Sequence, residues 1–217
     1  MNRKIFYKFL IVLLLMASVE PAFAWKKFID KNGVTAYRRA VPGSKIFEVL
    51  AKVQVKTSLF SLISLFDHVD LYKYWFFSCE DSYVIKKISR SKRYVYIETK
   101  SPVIVKNRDN VLFVRMRQYK KSKIFEMKLD GRPDYIPKRK SFFRVPRSYG
   151  KIKLIPLGDG IVEVQYKYFF DPGGAIPIFI VNAFAKDFYY NTMNSLRSYV
   201  MEEKFQKAHY SYYKNVK

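Results

Sequence analysis

The chain predicts an α+β fold in which an antiparallel sheet lies against one long C-terminal helix. Three observations carry this. Short segments with every second residue apolar recur at close spacing, as strands with one buried face do. The last of them, with Val162, Val164, Tyr166, Tyr168 and Phe170, runs into Asp171-Pro172-Gly173-Gly174-Ala175-Ile176-Pro177. Beyond that turn, Val181, Phe184, Ala185, Phe188, Thr192, Ser195, Leu196 and Tyr199 recur at three- and four-residue steps. Lys186, Asn194, Arg197 and Lys204 fall on the opposite side. A strand that hands over to such a stripe implies a helix laid across a sheet.

Residues 1–24 read as a secretory signal. Arg3, Lys4 and Lys8 make a basic start, Phe9 to Ala17 an apolar run, and Ala22-Phe23-Ala24 a small-x-small cleavage pattern. The apolar run is shorter than the roughly 20 residues of a spanning helix. Cleavage before Trp25 leaves residues 25–217 as a single domain, with no repeat or low-complexity linker to divide it. The whole chain carries a formal charge of +23. The signal holds three of the 41 basic residues and one of the 18 acids, so 38 basic and 17 acidic residues remain, a charge of +21. Such an excess predicts attraction to polyanions and says nothing of fold. Cys79 is the single cysteine, which excludes an internal disulfide, and its place after Trp75-Phe76-Phe77 suggests a buried small apolar residue.

Strands are expected at 34–41 and 47–55, joined through Pro42-Gly43-Ser44. Two short helices follow this first hairpin. Thr57 or Ser58 caps one that runs to about Phe66 with Leu59, Leu62, Ile63 and Phe66 inward, and a second covers 69–74. Further strands are expected at about 83–88, 93–99, 110–119, 123–129, 141–145, 151–155 and 161–170. Short links and one-face alternation favour an antiparallel meander. Its inward set is Val95, Ile97, Thr99, Leu112, Val114, Met116, Phe125, Met127, Leu129, Val162, Val164 and Tyr166. Lys52, Glu98, Arg115, Arg117, Lys128 and Lys167 point outward.

Several blocks resemble a known family. Asp171-Pro172-Gly173-Gly174, Pro177 and Asn182, with Arg144, Gly150 and Pro156 upstream, resemble the closing third of a START domain, a lipid-binding module also called the helix-grip fold. Pro102-Val103-Ile104-Val105-Lys106-Asn107-Arg108-Asp109 resembles the family's Pro-Trp-Pro-Val…Arg-Asp segment, with Val103 and Ile104 in place of Trp and Pro. Trp75 and Cys79 resemble its Trp…Cys step. The likeness runs from about Trp25 to Tyr199, with the family's opening helix truncated, and is of an exported bacterial type. It implies a curved antiparallel sheet of about eight or nine strands gripping the C-terminal helix.

A curved apolar sheet face under one helix leaves a hollow where the two diverge. On periodicity alone a solid core is the simpler reading; the resemblance reverses that. The expected cavity residues are Val95, Ile97, Leu112, Val114, Met116, Met127, Val164, Tyr166, Val181, Phe184, Phe188 and Thr192, with small Thr192 and Ser195 keeping the hollow open. An apolar ligand there gains about 0.8 kcal/mol per buried CH₂. The resemblance makes the 100–106 loop the cavity's gate, where Pro102, Val103, Ile104 and Val105 between Lys100 and Lys106 suit insertion into a bilayer. A second lip is expected at 130–140, and Phe179, Ile180 and Phe184 complete the rim. Arg108, Asp109, Asp171, Pro172, Gly173 and Gly174 are read as structural, with Arg108 and Asp109 an ion pair at the loop exit.

No catalytic set is visible. His68 and His209 are the only histidines, two His and one Cys fall short of a zinc site, and no Gly-rich phosphate loop or nucleophile elbow is present. No cofactor or metal is expected. The basic residues are scattered over several loops, unlike a nucleic-acid groove. The expectation is therefore an exported monomer, periplasmic or extracellular, that holds one phospholipid, fatty acyl or sterol-like ligand and docks on anionic membranes. The alternatives are a cyclase- or hydrolase-type enzyme on the same fold and a cationic secreted protein with no cargo.

Overall fold

The computed structural model describes residues 24–101 and 105–215. Residues 1–23, all but the last of the expected export signal, and Pro102, Val103 and Ile104 of the expected gate lie outside them. Among the described residues no helix is long and apolar enough to cross a membrane.

Among the described residues ten strands form one sheet, where about eight or nine are expected. They are β1 (Lys26–Lys31), β2 (Val34–Arg39), β3 (Glu48–Lys56), β4 (Cys79–Ser89), β5 (Lys92–Thr99), β6 (Arg108–Gln118), β7 (Phe125–Gly131), β8 (Phe143–Arg144), β9 (Arg147–Gly158) and β10 (Ile161–Asp171). The helices are α1 (Leu59–Asp67), a 3-10 turn (Val69–Tyr74), α2 (Ile178–Tyr199) and α3 (Glu203–Gln206). The neighbour order is β1-β2-β3-β10-β9-β7-β6-β5-β4. Two features break the simple meander. Between β3 and β4 the chain crosses through α1 and the 3-10 turn to the far edge, and β8 runs parallel to β6.

β1 is absent from the sequence reading, yet its signal is there. Lys31 pairs with Val34 across Asn32-Gly33, whose φ values are 50° and 74°. That is the two-residue turn that Asn-Gly favours between strands. Gly150 in β9 is required for a different reason: a Cβ there would stand 2.2 Å from the Lys167 carbonyl oxygen and 2.8 Å from the Tyr168 Cα. Only a glycine lets β9 and β10 approach so closely there.

α1 starts at Ser58, whose hydroxyl accepts the Ser61 N–H at 3.0 Å. Leu59 through Phe66 are all buried, so both faces of the helix are covered. The sheet covers one, and the chain after α3 covers the other. Phe60 meets His209 and Tyr210, the Tyr210 hydroxyl donates to Asp67 at 3.0 Å, and Tyr213 packs edge-on to Phe125. Cys79 is buried at the start of β4, and burial pushes its thiol up to about 11 despite a hydrogen bond with Ser82.

The outer face of the sheet is not bare. The segment expected as a second lip, 130–140, packs there instead. Tyr135 stacks on Tyr94 with ring centroids 3.6 Å apart, and Arg139 pairs with Glu98 and donates to the Tyr96 hydroxyl. The alternation of β5 fixes this, because Tyr94, Tyr96 and Glu98 face away from Val95 and Ile97. Arg115 of the outward set pairs with Asp130.

Candidate ligand cavity

β10 ends at Asp171, whose carboxylate accepts the Gly173 N–H at 2.9 Å. Gly173 and Gly174 then take φ values of 62° and 72°, where a Cβ is strained. At Gly173 it would also meet the Phe143 ring at 2.4 Å. This turn sends α2 back across the concave face of the sheet. The first turns of α2 are weakly fixed: Pro177 provides no side-chain cap and no acidic residue stands in the first turn. The helix residues buried outright are Tyr189, Thr192, Met193 and Leu196, all in its second half.

Consequently the helix closes down on the sheet over its C-terminal half and stands off over its N-terminal half. A cavity of about 130 Å³ lies beneath the latter. Its walls are Ile97, Leu112, Phe76, Tyr166, Phe184, Ala185, Phe188 and Tyr189 inside, with Ser101, Val105, Arg108, Pro172, Ile176 and Ile180 nearer the turn and loop. An apolar void of about 150 Å³ stays dry and takes up apolar guests. Ligand sites generally measure about 300–1,000 Å³. A whole lipid therefore requires the loosely held half of α2 to move outward.

Of the twelve expected cavity residues, Ile97, Leu112, Tyr166, Val181, Phe184 and Phe188 line the hollow. The other six do not. Val95, Val114, Met116, Met127, Val164 and Thr192 are buried in the solid part of the interior. Thr192 is the clearest correction: its hydroxyl accepts the Phe77 N–H at 3.2 Å, which ties the helix to the chain after the 3-10 turn. Val105 of the expected gate lines the mouth, and Phe179 of the expected rim points out, 71 % exposed.

One side of the cavity is polar. Asn110 donates to the Tyr168 hydroxyl at 3.0 Å and accepts from Ser148 at 3.1 Å, while the Tyr189 hydroxyl donates to the Tyr168 carbonyl at 3.4 Å. Burial raises the Tyr168 hydroxyl to about 12 and lifts those of Tyr166 and Tyr189 well above the usual tyrosine value, so all three stay neutral donors.

Arg108 and Asp109 are adjacent but do not pair. Neighbouring strand residues face opposite sides. Asp109 faces outward, to Arg144 at 2.9 and 3.0 Å and to the Tyr96 hydroxyl at 2.9 Å. Arg108 faces the cavity and is 5 % exposed. Its guanidinium donates to the Ser101 hydroxyl and to the carbonyls of Lys106, Pro172 and Gly173, joining loop to turn. His68 ends α1, with its Nδ1 2.8 Å from the Ser64 carbonyl. Among the described residues no three His, Cys, Asp or Glu side chains gather as a metal site requires.

Comparison with known proteins agrees with this architecture. The START domain family model matches residues 10–204. An uncharacterized protein of Pseudomonas aeruginosa is 31 % identical over 174 residues, covering 80 % of this chain and 85 % of its own. Phosphatidylcholine transfer protein of Rattus norvegicus is 25 % identical over 178 residues, covering 75 % and 77 %. The crystal structure of a fragment of a STAR-related lipid transfer protein from Xanthomonas axonopodis superposes with a TM-score of 0.76. It is 26 % identical, over 82 % of this chain and 99 % of that one.

Proposed function

The chain belongs to the START domain family, and from that premise we propose that it is an exported carrier holding one lipid under the N-terminal half of α2. One observation carries the reading: the apolar hollow lies beneath the half of α2 that has no side-chain cap and no fully buried residue. An acyl chain or ring that enters it exchanges water for aliphatic and aromatic walls, at about 0.8 kcal/mol per CH₂. The named relatives that transfer lipids support the same class of cargo. Among the described residues no carboxylate, histidine or cysteine lines the hollow to act as a general base or nucleophile, and we propose binding without turnover.

The rim favours an anionic membrane as the place of exchange. Phe179 and Ile178 are exposed at the start of α2, Lys186 is exposed about two turns further along the same helix, and Lys100 and Lys106 are exposed on the loop that brings Ser101 and Val105 to the cavity. Apolar tips enter the interface while lysines meet phosphates, each worth about 1 kcal/mol. The charge of +23 on the whole chain adds a long-range attraction. The signal-like first 24 residues support a periplasmic site of action in this proposal, with the protein acting as a monomer and without nucleic acid.

The test is transfer of a fluorescent phospholipid between vesicles of phosphatidylcholine and phosphatidylglycerol. The chain is expected to speed transfer at least tenfold over spontaneous exchange, and raising salt from 0.05 to 0.5 M is expected to slow it as surface charges are screened (on the order of tenfold in ionic strength). Transfer at the spontaneous rate under every condition contradicts the carrier reading.

A further inference from the structure

We propose that the lipid carries an acidic group, a carboxylate or a phosphate, and that Arg108 receives it at the mouth of the cavity; this rests on the carrier reading above. The alternation of β6 sends Arg108, Asn110 and Leu112 to the cavity and Asp109 and Val111 away from it. Arg108 is therefore a buried cation on a mostly apolar wall. What surrounds its guanidinium is neutral: one hydroxyl, three carbonyls and the Phe143 ring, 5.6 Å away. Among the described residues no carboxylate comes within ion-pair distance of it. Pro102, Val103 and Ile104, outside that set, carry no acid.

The nearby acids are committed elsewhere. Asp109 is held by Arg144 and Tyr96, Glu98 by Arg139, and Glu80 by Asn107 and Lys100. Asp171 accepts the Gly173 N–H. Arg144 makes the contrast plain, since it is equally buried and has its carboxylate at 2.9 Å. A buried charge without a counter-ion is costly, and an anion that arrives with the ligand removes that cost. Burial lowers the Arg108 pKa, with no anion acting the other way.

The geometry suits a fork. Three of the four contacts, to Ser101, Pro172 and Gly173, measure 3.3–3.4 Å, beyond the usual N–H···O range of about 2.7–3.2 Å. A carboxylate or phosphate offers two charged oxygens at the spacing of the guanidinium N–H groups and makes shorter, stronger bonds. The tail then runs past Leu112 toward Phe188. Neutral sterols and diacylglycerols leave the cation without a partner.

Competition binding with four probes on the full chain tests this. The pairs are oleate with methyl oleate, and dioleoylphosphatidate with dioleoylglycerol; each pair differs by an acidic group. The wild type is expected to prefer the acidic member at least tenfold in one pair, and that pair identifies carboxylate or phosphate as the headgroup. In Arg108→Gln the preference is expected to fall below threefold, and Arg108→Lys, with charge but no fork, to retain part of it. Equal affinities in the wild type overturn the proposal. So does a preference that persists in Arg108→Gln with a native circular dichroism spectrum, which leaves Arg108 as a staple only. Should the glutamine variant not fold, the wild-type pairs and the lysine variant decide. Binding of no probe at all refutes the carrier reading itself, whereas tight but indiscriminate binding refutes only the role of Arg108.

Discussion

Replacing Arg144 with methionine is expected to destabilise the fold by about 3–5 kcal/mol, the cost of stranding a buried partner charge. Asp109 and Arg144 have side-chain exposures of 1 % and 2 %. The guanidinium also donates to the carbonyls of Pro133, Ile136 and Pro137, so it fixes the whole 130–140 segment on the outer face of the sheet. Removing it strands the carboxylate and three carbonyls together. Since domain stabilities are about 5–15 kcal/mol, this is a large share. In urea, with a slope of about 2 kcal/mol per M, the midpoint is expected about 2 M lower. Combining Arg144→Met with Asp109→Leu is expected to recover much of the loss, because the second change removes the unpaired charge. A single-variant loss below about 1 kcal/mol contradicts the buried-pair account.

The second large effect is on cargo. Ala185 faces the cavity from α2, and Ala185→Trp is expected to fill it from the helix side. An empty space of about 130 Å³ costs on the order of 3 kcal/mol at roughly 24 cal/mol per Å³. An indole placed there recovers part of that while excluding lipid. Lipid content is therefore expected to fall at least tenfold, with a melting temperature equal to or above that of the wild type. Phe184→Asp, which sets a carboxylate on the same wall, is expected to reduce loading as well but to lower stability. Unchanged loading in a folded Ala185→Trp protein removes this hollow as the binding site.

The two variants also mark what could be read from sequence. The frame was legible because alternation in 162–170, the Asp171–Gly174 turn and the stripe beyond it each obey a local period. Within that frame the position of the cavity was not legible. Thr192 and Ser195 are small, which suggests space, but Thr192 is taken up by the Phe77 N–H and the free volume lies two turns earlier. Where a helix departs from a sheet depends on long-range geometry that no period encodes. The Arg108-Asp109 pair is a different failure. Period-two alternation already separates adjacent strand residues, so the ion pair was excluded by the same rule that found the strand. Asn32-Gly33 likewise announced β1. By contrast, nothing in 130–140 or 207–215 is periodic, and their packing against β5 and α1 rests on contacts between residues far apart in sequence.

Mass spectrometry of the chain purified from its host without detergent tests the central claim most directly. A lipid-loaded hollow predicts close to one equivalent of lipid per protein, enriched in acidic species, and little of it in Ala185→Trp. Wild-type protein that emerges empty and takes up no lipid from vesicles contradicts the claim.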